Sequence, residues 1–143
     1  MKTVNEVLKT KGSDIWTVSP LATVFQALEV MAQKDVGALP VVQNGKLVGI
    51  FSERDYARKV ILKGRASKDT AVNELMTQTV FYVGPENTLD ECMALMTSRQ
   101  IRHLPVLDHD RLVGIITLGD VVKRIISEQE FTIQELEKYV KGG

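Results

Sequence analysis

Two hydrophobic rhythms alternate along this chain. From Val24, three- and four-residue steps carry Leu28 and Met31 along one side of a segment that runs to about Lys34, and similar steps carry Leu89, Cys92, Met93 and Met96 toward Arg99. That period aligns apolar side chains on one stripe of a helix, as burial against a core requires. Thr23 with Gln26, and Thr88 with Glu91, open the two stripes at capping-box spacing, where a hydroxyl and an amide or carboxylate satisfy the free amides of a first turn. After the first helix come two β-rich runs, Ala38–Val42 and Lys46–Phe51, split by Asn44-Gly45, a dipeptide that tolerates the positive φ angles of a tight hairpin. After the second, Asp108-His109-Asp110 stands at the corresponding turn. Short extended segments, Ile15–Val18 and Phe81–Val83, precede the two helices and stop ahead of a proline. Ser52 and Thr117 mark where strand gives way to a further helix, each followed three residues later by an aspartate.

These elements form an internal repeat. Residues 17–61 align without a gap on residues 82–126 at an offset of 65, with 13 of 45 positions identical, among them Leu39-Pro40-Val41 with Leu104-Pro105-Val106 and Gly49-Ile50 with Gly114-Ile115. Upstream, residues 4–8 match residues 72–76 at an offset of 68, so the first repeat carries three more residues before its first strand. Thr132 with Glu135 predicts a last helix with Ile133, Leu136 and Val140 on one side. The expected division is a first unit over 1–66, a second over 67–127 and an appended helix over 128–143.

The run Gly114-Ile115-Ile116-Thr117-Leu118-Gly119-Asp120, its counterpart Gly49-Ile50-Phe51-Ser52-Glu53-Arg54-Asp55 and the Leu-Pro-Val segments resemble the signature of CBS domains. Two in tandem resemble a Bateman module. The resemblance implies an α/β (α+β) fold of two β-α-β-β-α units packed through their sheets about a pseudo-two-fold axis, with a composite cleft on either side. By the same resemblance the first cleft combines Lys11, Gly12 and Trp16 with Val36, Gly37 and Ala38 of one repeat and Ile115, Thr117 and Asp120 of the other. The second cleft combines Gln78 to Phe81 and Ile101, Arg102 and His103 with Ile50, Ser52, Arg54 and Asp55. An adenine nucleotide or adenosyl ligand (AMP, ATP, NAD or S-adenosylmethionine) is the implied occupant. A regulatory role toward an unidentified effector protein, as a homodimer, follows from the same family.

Independent chemistry supports that choice of residues. A helix start offers free amides and a partial positive charge to phosphate, an aspartate can accept from ribose hydroxyls, and apolar walls suit a flat base. Ser52/Asp55 and Thr117/Asp120 also have the spacing of plain helix caps, and the two roles can coexist. Arg102 and His103 replace Gly37 and Ala38, which predicts clefts of unequal charge. Trp16 suits either stacking on a base or covering the core.

Composition narrows the alternatives. Eighteen Lys and Arg balance eighteen Asp and Glu, which removes the positive field that nucleic-acid binding uses. No apolar run approaches a membrane span and the first residues lack a secretory pattern, so a cytoplasmic protein without membrane contact is expected. Cys92 is the sole cysteine and, with His103 and His109, makes no zinc spacing, so no metal is expected. Neither a nucleophile paired with a base nor a Walker-type loop is present, which argues against an enzyme. A dimerising scaffold with empty clefts is the competing reading.

Overall fold

The computed structural model describes residues 2–12 and 14–128. Its elements run α1 (Val4–Lys11), α2 (Val24–Lys34), β1 (Ala38–Gln43), β2 (Lys46–Ser52), α3 (Glu53–Asp55), α4 (Val72–Leu75), α5 (Leu89–Arg99), β3 (His103–Asp108), β4 (Arg111–Thr117) and α6 (Leu118–Glu128). The expected appended helix lies outside the described residues.

Local signals act where the sequence places them. Thr23 and Thr88 close capping boxes with Gln26 and Glu91. Both helices end on a left-handed residue, Asp35 and Gln100. Each hairpin pairs its strands antiparallel in the same register, from Ala38 opposite Ser52 and from His103 opposite Thr117, with the same irregularity after Val41 and after Val106. The second turn is tighter than its sequence suggests: Asp108 still pairs with Arg111, so His109 (φ 51°) and Asp110 (φ 65°) adopt the left-handed geometry that Asn44 and Gly45 adopt in the first. Asp110 does without glycine where Gly45 has φ 78°. The expected leading strands shrink to single parallel pairings, Val18 with Val41 and Val83 with Val106. Beyond Ser52 the helix is regular only to Asp55 and then widens to π geometry over Tyr56–Ile61, whereas α6 continues regularly.

Packing exchanges the leading helices between the repeats. Val4 and Val7 of α1 join the core formed by Leu89, Cys92, Leu104, Val106 and Ile116. Val72 and Leu75 of α4 join the core formed by Val24, Met31, Leu39, Val41 and Phe51. The sequence match at offset 68 is therefore also a match in space, and each core includes residues from across the expected 66/67 boundary. Strands β2 and β4 bring the two hairpins into contact.

Glycine makes the exchange possible. A Cβ on Gly49 would stand 2.6 Å from Met76 Sδ and 3.0 Å from the Thr77 carbonyl oxygen, and one on Gly114 would stand 2.7 Å from Leu8 Cδ2. Leu8 can rotate aside, but the Thr77 carbonyl is held in paired backbone with Ile50. Gly49→Ala should therefore cost about 1–3 kcal/mol, the range for overpacking, and more than Gly114→Ala. Equal denaturant midpoints for the two variants would contradict this account.

Candidate functional site

A cavity of about 380 Å³ opens between the repeats at the level of the strand ends. Strand β2 delivers Ile50 and Ser52, the following turn delivers Arg54 and Asp55, and the opposite repeat delivers Phe81, Ile101, Arg102 and His103. These are eight of the second cleft's expected residues, now on one surface. Gln78 is exposed and does not line the cavity, whereas Thr77, Thr79 and Val80 beside it do. Glu53, Gln100 and Pro105 also line it, as does Gly37, which sequence reasoning placed in the first cleft. Gly37 belongs here because the starts of β1 and β3 are adjacent: a Cβ on it would stand 3.3 Å from His103 Nε2.

Asp55 is buried and already occupied. Its Oδ2 accepts from the Ser52 amide at 2.9 Å and the Ser52 hydroxyl at 3.0 Å, while Oδ1 accepts from Thr77 Oγ1 at 3.1 Å and pairs with Lys59 at 3.1 Å. Cap and charge pair together use this carboxylate, so its accessible neighbours carry the polarity of the cavity. Among the described residues Arg54 donates only to the Gln100 carbonyl, at 2.9 Å. Arg102 meets no carboxylate among the described residues. Among the described residues neither guanidinium is paired with a carboxylate, and both face a cavity whose lining also includes the exposed Glu53 and the apolar Ile50, Phe81 and Ile101, an arrangement that can receive an anion attached to an apolar body on the guanidinium side.

The first cleft is arranged differently. Lys11 extends from the end of α1 and donates to Asp120 Oδ2 at 2.7 Å and to the Ile115 carbonyl at 2.9 Å. Thr117 and Asp120 cap α6, amide to carboxylate at 2.9 Å and amide to hydroxyl at 3.0 Å. Gly12 ends α1 with φ 102°. Ala38 is buried in β1 and Val36 half-buried beside the other core. Trp16 lies under the ammonium of Lys34, 4.2 Å from the ring centre. At the equivalent place in the other repeat the Arg99 guanidinium lies 4.7 Å from Phe81, so each aromatic has one face covered by a cation from the last turn of a helix. The spacing of 18 residues from aromatic to cation, repeated at offset 65, was the signal available in the sequence.

Cys92 is fully buried, and desolvation pushes its thiol up to about 11, as expected of core filling. Among the described residues no helix is long and apolar enough to cross a membrane, and no cluster of three His, Cys, Asp or Glu could hold a metal ion.

The CBS domain family model matches residues 4–62 and 72–127. The chain is 39% identical over 151 residues to the mitochondrial CBS domain-containing protein CBSX3 of Arabidopsis thaliana, covering 99% of this chain and 73% of that one. A putative signal-transduction protein with CBS domains from Burkholderia ambifaria has a similar structure, with a TM-score of 0.87 and 50% identity over 92% of this chain and 99% of that one. The CBS domain pair of protein MJ0100, in complex with 5-methylthioadenosine and S-adenosyl-L-methionine, is similar at a TM-score of 0.79 and 25% identity, over 90% of this chain and 98% of that one.

His103 lines the cavity and also feels Lys11 and Asp120, which lie outside it. Burial, then the charges of Lys11 and Arg102, hold its imidazole below the usual 6.5, with Asp120 opposing. The unfolded chain therefore binds the proton more readily, so stability falls as pH drops below about 6.5 toward the folded value and recovers as pH rises. In an NMR titration of the protein without ligand, His103 should titrate below 6.5; a midpoint at or above that value would mean that it faces solvent.

Proposed function

The chain belongs to the CBS-domain family, and on that premise we propose that it is a non-catalytic regulatory module that binds an adenine nucleotide or adenosyl ligand between its repeats. AMP, ATP, NAD and S-adenosylmethionine are the candidates. The observation that carries this reading is the inter-repeat cavity: about 380 Å³, within the range of small-molecule sites, with apolar walls and two guanidinium groups lacking carboxylate partners. The ligands held by the MJ0100 pair are of the same chemical class.

Roles follow from what each group has free. Ile50, Ile101 and Phe81 receive the base. Arg102, with Arg54 beside it, receives phosphate. Thr79 offers its hydroxyl to the ribose in place of Asp55, whose oxygens already accept from the Ser52 and Thr77 hydroxyls. Because the walls come from both repeats, an occupant favours one relative arrangement of them, and a partner that distinguishes arrangements reads the occupancy. The module acts as a homodimer; the exposed apolar residues Leu21, Ile61 and Leu62 lie outside both cores and suit association.

A melting-shift panel of the candidate ligands tests the general reading, since a ligand at about 100 times its dissociation constant adds ~2.7 kcal/mol of stability. No shift with any of them would favour a scaffold with empty clefts. For the residue roles, calorimetry on Arg102→Ala should show AMP binding weakened about tenfold or more, in line with ~1.5–3 kcal/mol for a hydrogen bond to a charged group, while adenosine binds as before. Equal losses for adenosine and AMP would mean that Arg102 shapes the cavity and does not read the phosphate. Light scattering should show a species of twice 15.9 kDa, and a 15.9 kDa species alone at micromolar concentration would exclude the dimer.

A further inference from the structure

The zero net charge of the chain conceals a division. Residues 1–66 hold ten Lys and Arg against six Asp and Glu, and residues 67–143 hold eight against twelve. Part of the positive excess gathers where the π segment of the first repeat ends. Ile61 and Leu62, 56% and 75% exposed, open the turn that closes at Gly64 (φ 69°). Arg58, one turn earlier, and Lys63 beside them are exposed as well. Lys59 and Arg65 are engaged by Asp55 and Glu74, but Arg58 and Lys63 meet no carboxylate among the described residues. Two adjacent apolar side chains flanked by two such cations thus form an uncovered tip. The shared fold does not impose it: at offset 65, Leu62, Lys63 and Arg65 become Ser127, Glu128 and Glu130. Beyond α6 the chain has the opposite character. Residues 128–137 hold four glutamates and no basic residue, interleaved with Phe131, Ile133 and Leu136.

We propose that the tip of the first repeat is the docking surface for the acidic, apolar segment 128–140 of a second copy, in an antiparallel dimer where each copy gives one segment and receives one. Ile61 and Leu62 are covered by the apolar side of the segment, Ile133, Leu136 and Val140, while its glutamates face Arg58 and Lys63. Direction follows from charge. Two first repeats set against each other would oppose base to base, whereas a first repeat against a second opposes base to acid. A two-fold axis of that kind makes both contacts at once, isologously. The segment leaves α6, which packs on α1 and α5 around the second core, while the tip follows Val60 in the first core. Root and tip, residues 126–128 and 61–63, therefore hold corresponding places in different repeats, and the antiparallel partner presents its root to the tip. The inference rests on the homodimer reading above and adds its surfaces and its direction.

Two charge-reversed full chains test it, Arg58→Glu/Lys63→Glu at the tip and Glu135→Lys/Glu137→Lys in the segment. Sedimentation over a concentration series should give each variant alone a dimer dissociation constant about tenfold or more above that of the parent. An equimolar mixture of the two should return to within about twofold of the parent, because in the mixed pair the reversed tip meets the reversed segment and the unaltered tip meets the unaltered segment. That recovery also shows both variants to be folded. Parent-like dimers in either variant overturn the docking and leave the dimer reading standing. Weakened variants that the mixture does not restore overturn it too, since a segment lying on its own chain gains nothing from a second copy. A parent that stays monomeric at micromolar concentration removes the dimer reading and the docking with it.

Discussion

Neither repeat completes its own core. Val4 and Val7 close the core of the second repeat and Val72 and Leu75 close that of the first, so burial of each leading helix depends on the presence of the other unit. The contact needs strands that the helices can approach closely, and Gly49 under Met76 and Gly114 under Leu8 supply them. A small β-α-β-β-α unit buries little surface and is marginal alone, and the exchange ties the two cores together. It also fixes where the strand ends of one repeat stand against the loops of the other, which is where the clefts arise.

Near-symmetry in that frame produces unequal sites. Both aspartates cap the element after the last strand, and both stand beside a segment arriving from the opposite repeat. In one half that segment is extended: Thr77 pairs with Ile50 through the backbone and reaches Asp55 with its hydroxyl. In the other half it is the end of a longer helix, and a lysine side chain reaches both the Ile115 carbonyl and Asp120. Three residues of length thus change a buried, fully bonded carboxylate into an accessible ion pair.

Electrostatics amplify the difference. Arg102 and His103 stand where the first repeat has Gly37 and Ala38, and the cavity they border also receives Arg54. Positive charge with few acidic partners, next to apolar walls drawn from both repeats, gives an anion-bearing ligand a means of holding the repeats in one arrangement.

The sequence determined what is local. Capping residues, apolar stripes, turn dipeptides and the offset-65 repeat specified α2, α5 and the two hairpins in order, though not the leading helices α1 and α4, and the Gly-Ile-x-Ser/Thr-x-x-Asp runs specified the residues at the strand ends, because hydrogen bonding and side-chain periodicity within a few residues govern these. It also predicted unequal charge in the two clefts from Arg102 and His103. Tertiary structure alone decided what lies across from what. That Gly37 faces His103, that Thr77 consumes an oxygen of Asp55, that Gln78 turns outward while Thr79 and Val80 turn in, and that Lys11 reaches Asp120 are facts about segments far apart in the chain or about loop direction. No propensity encodes them, since the competition for each carboxylate oxygen begins only once the exchanged helices have brought the competitors within hydrogen-bonding distance.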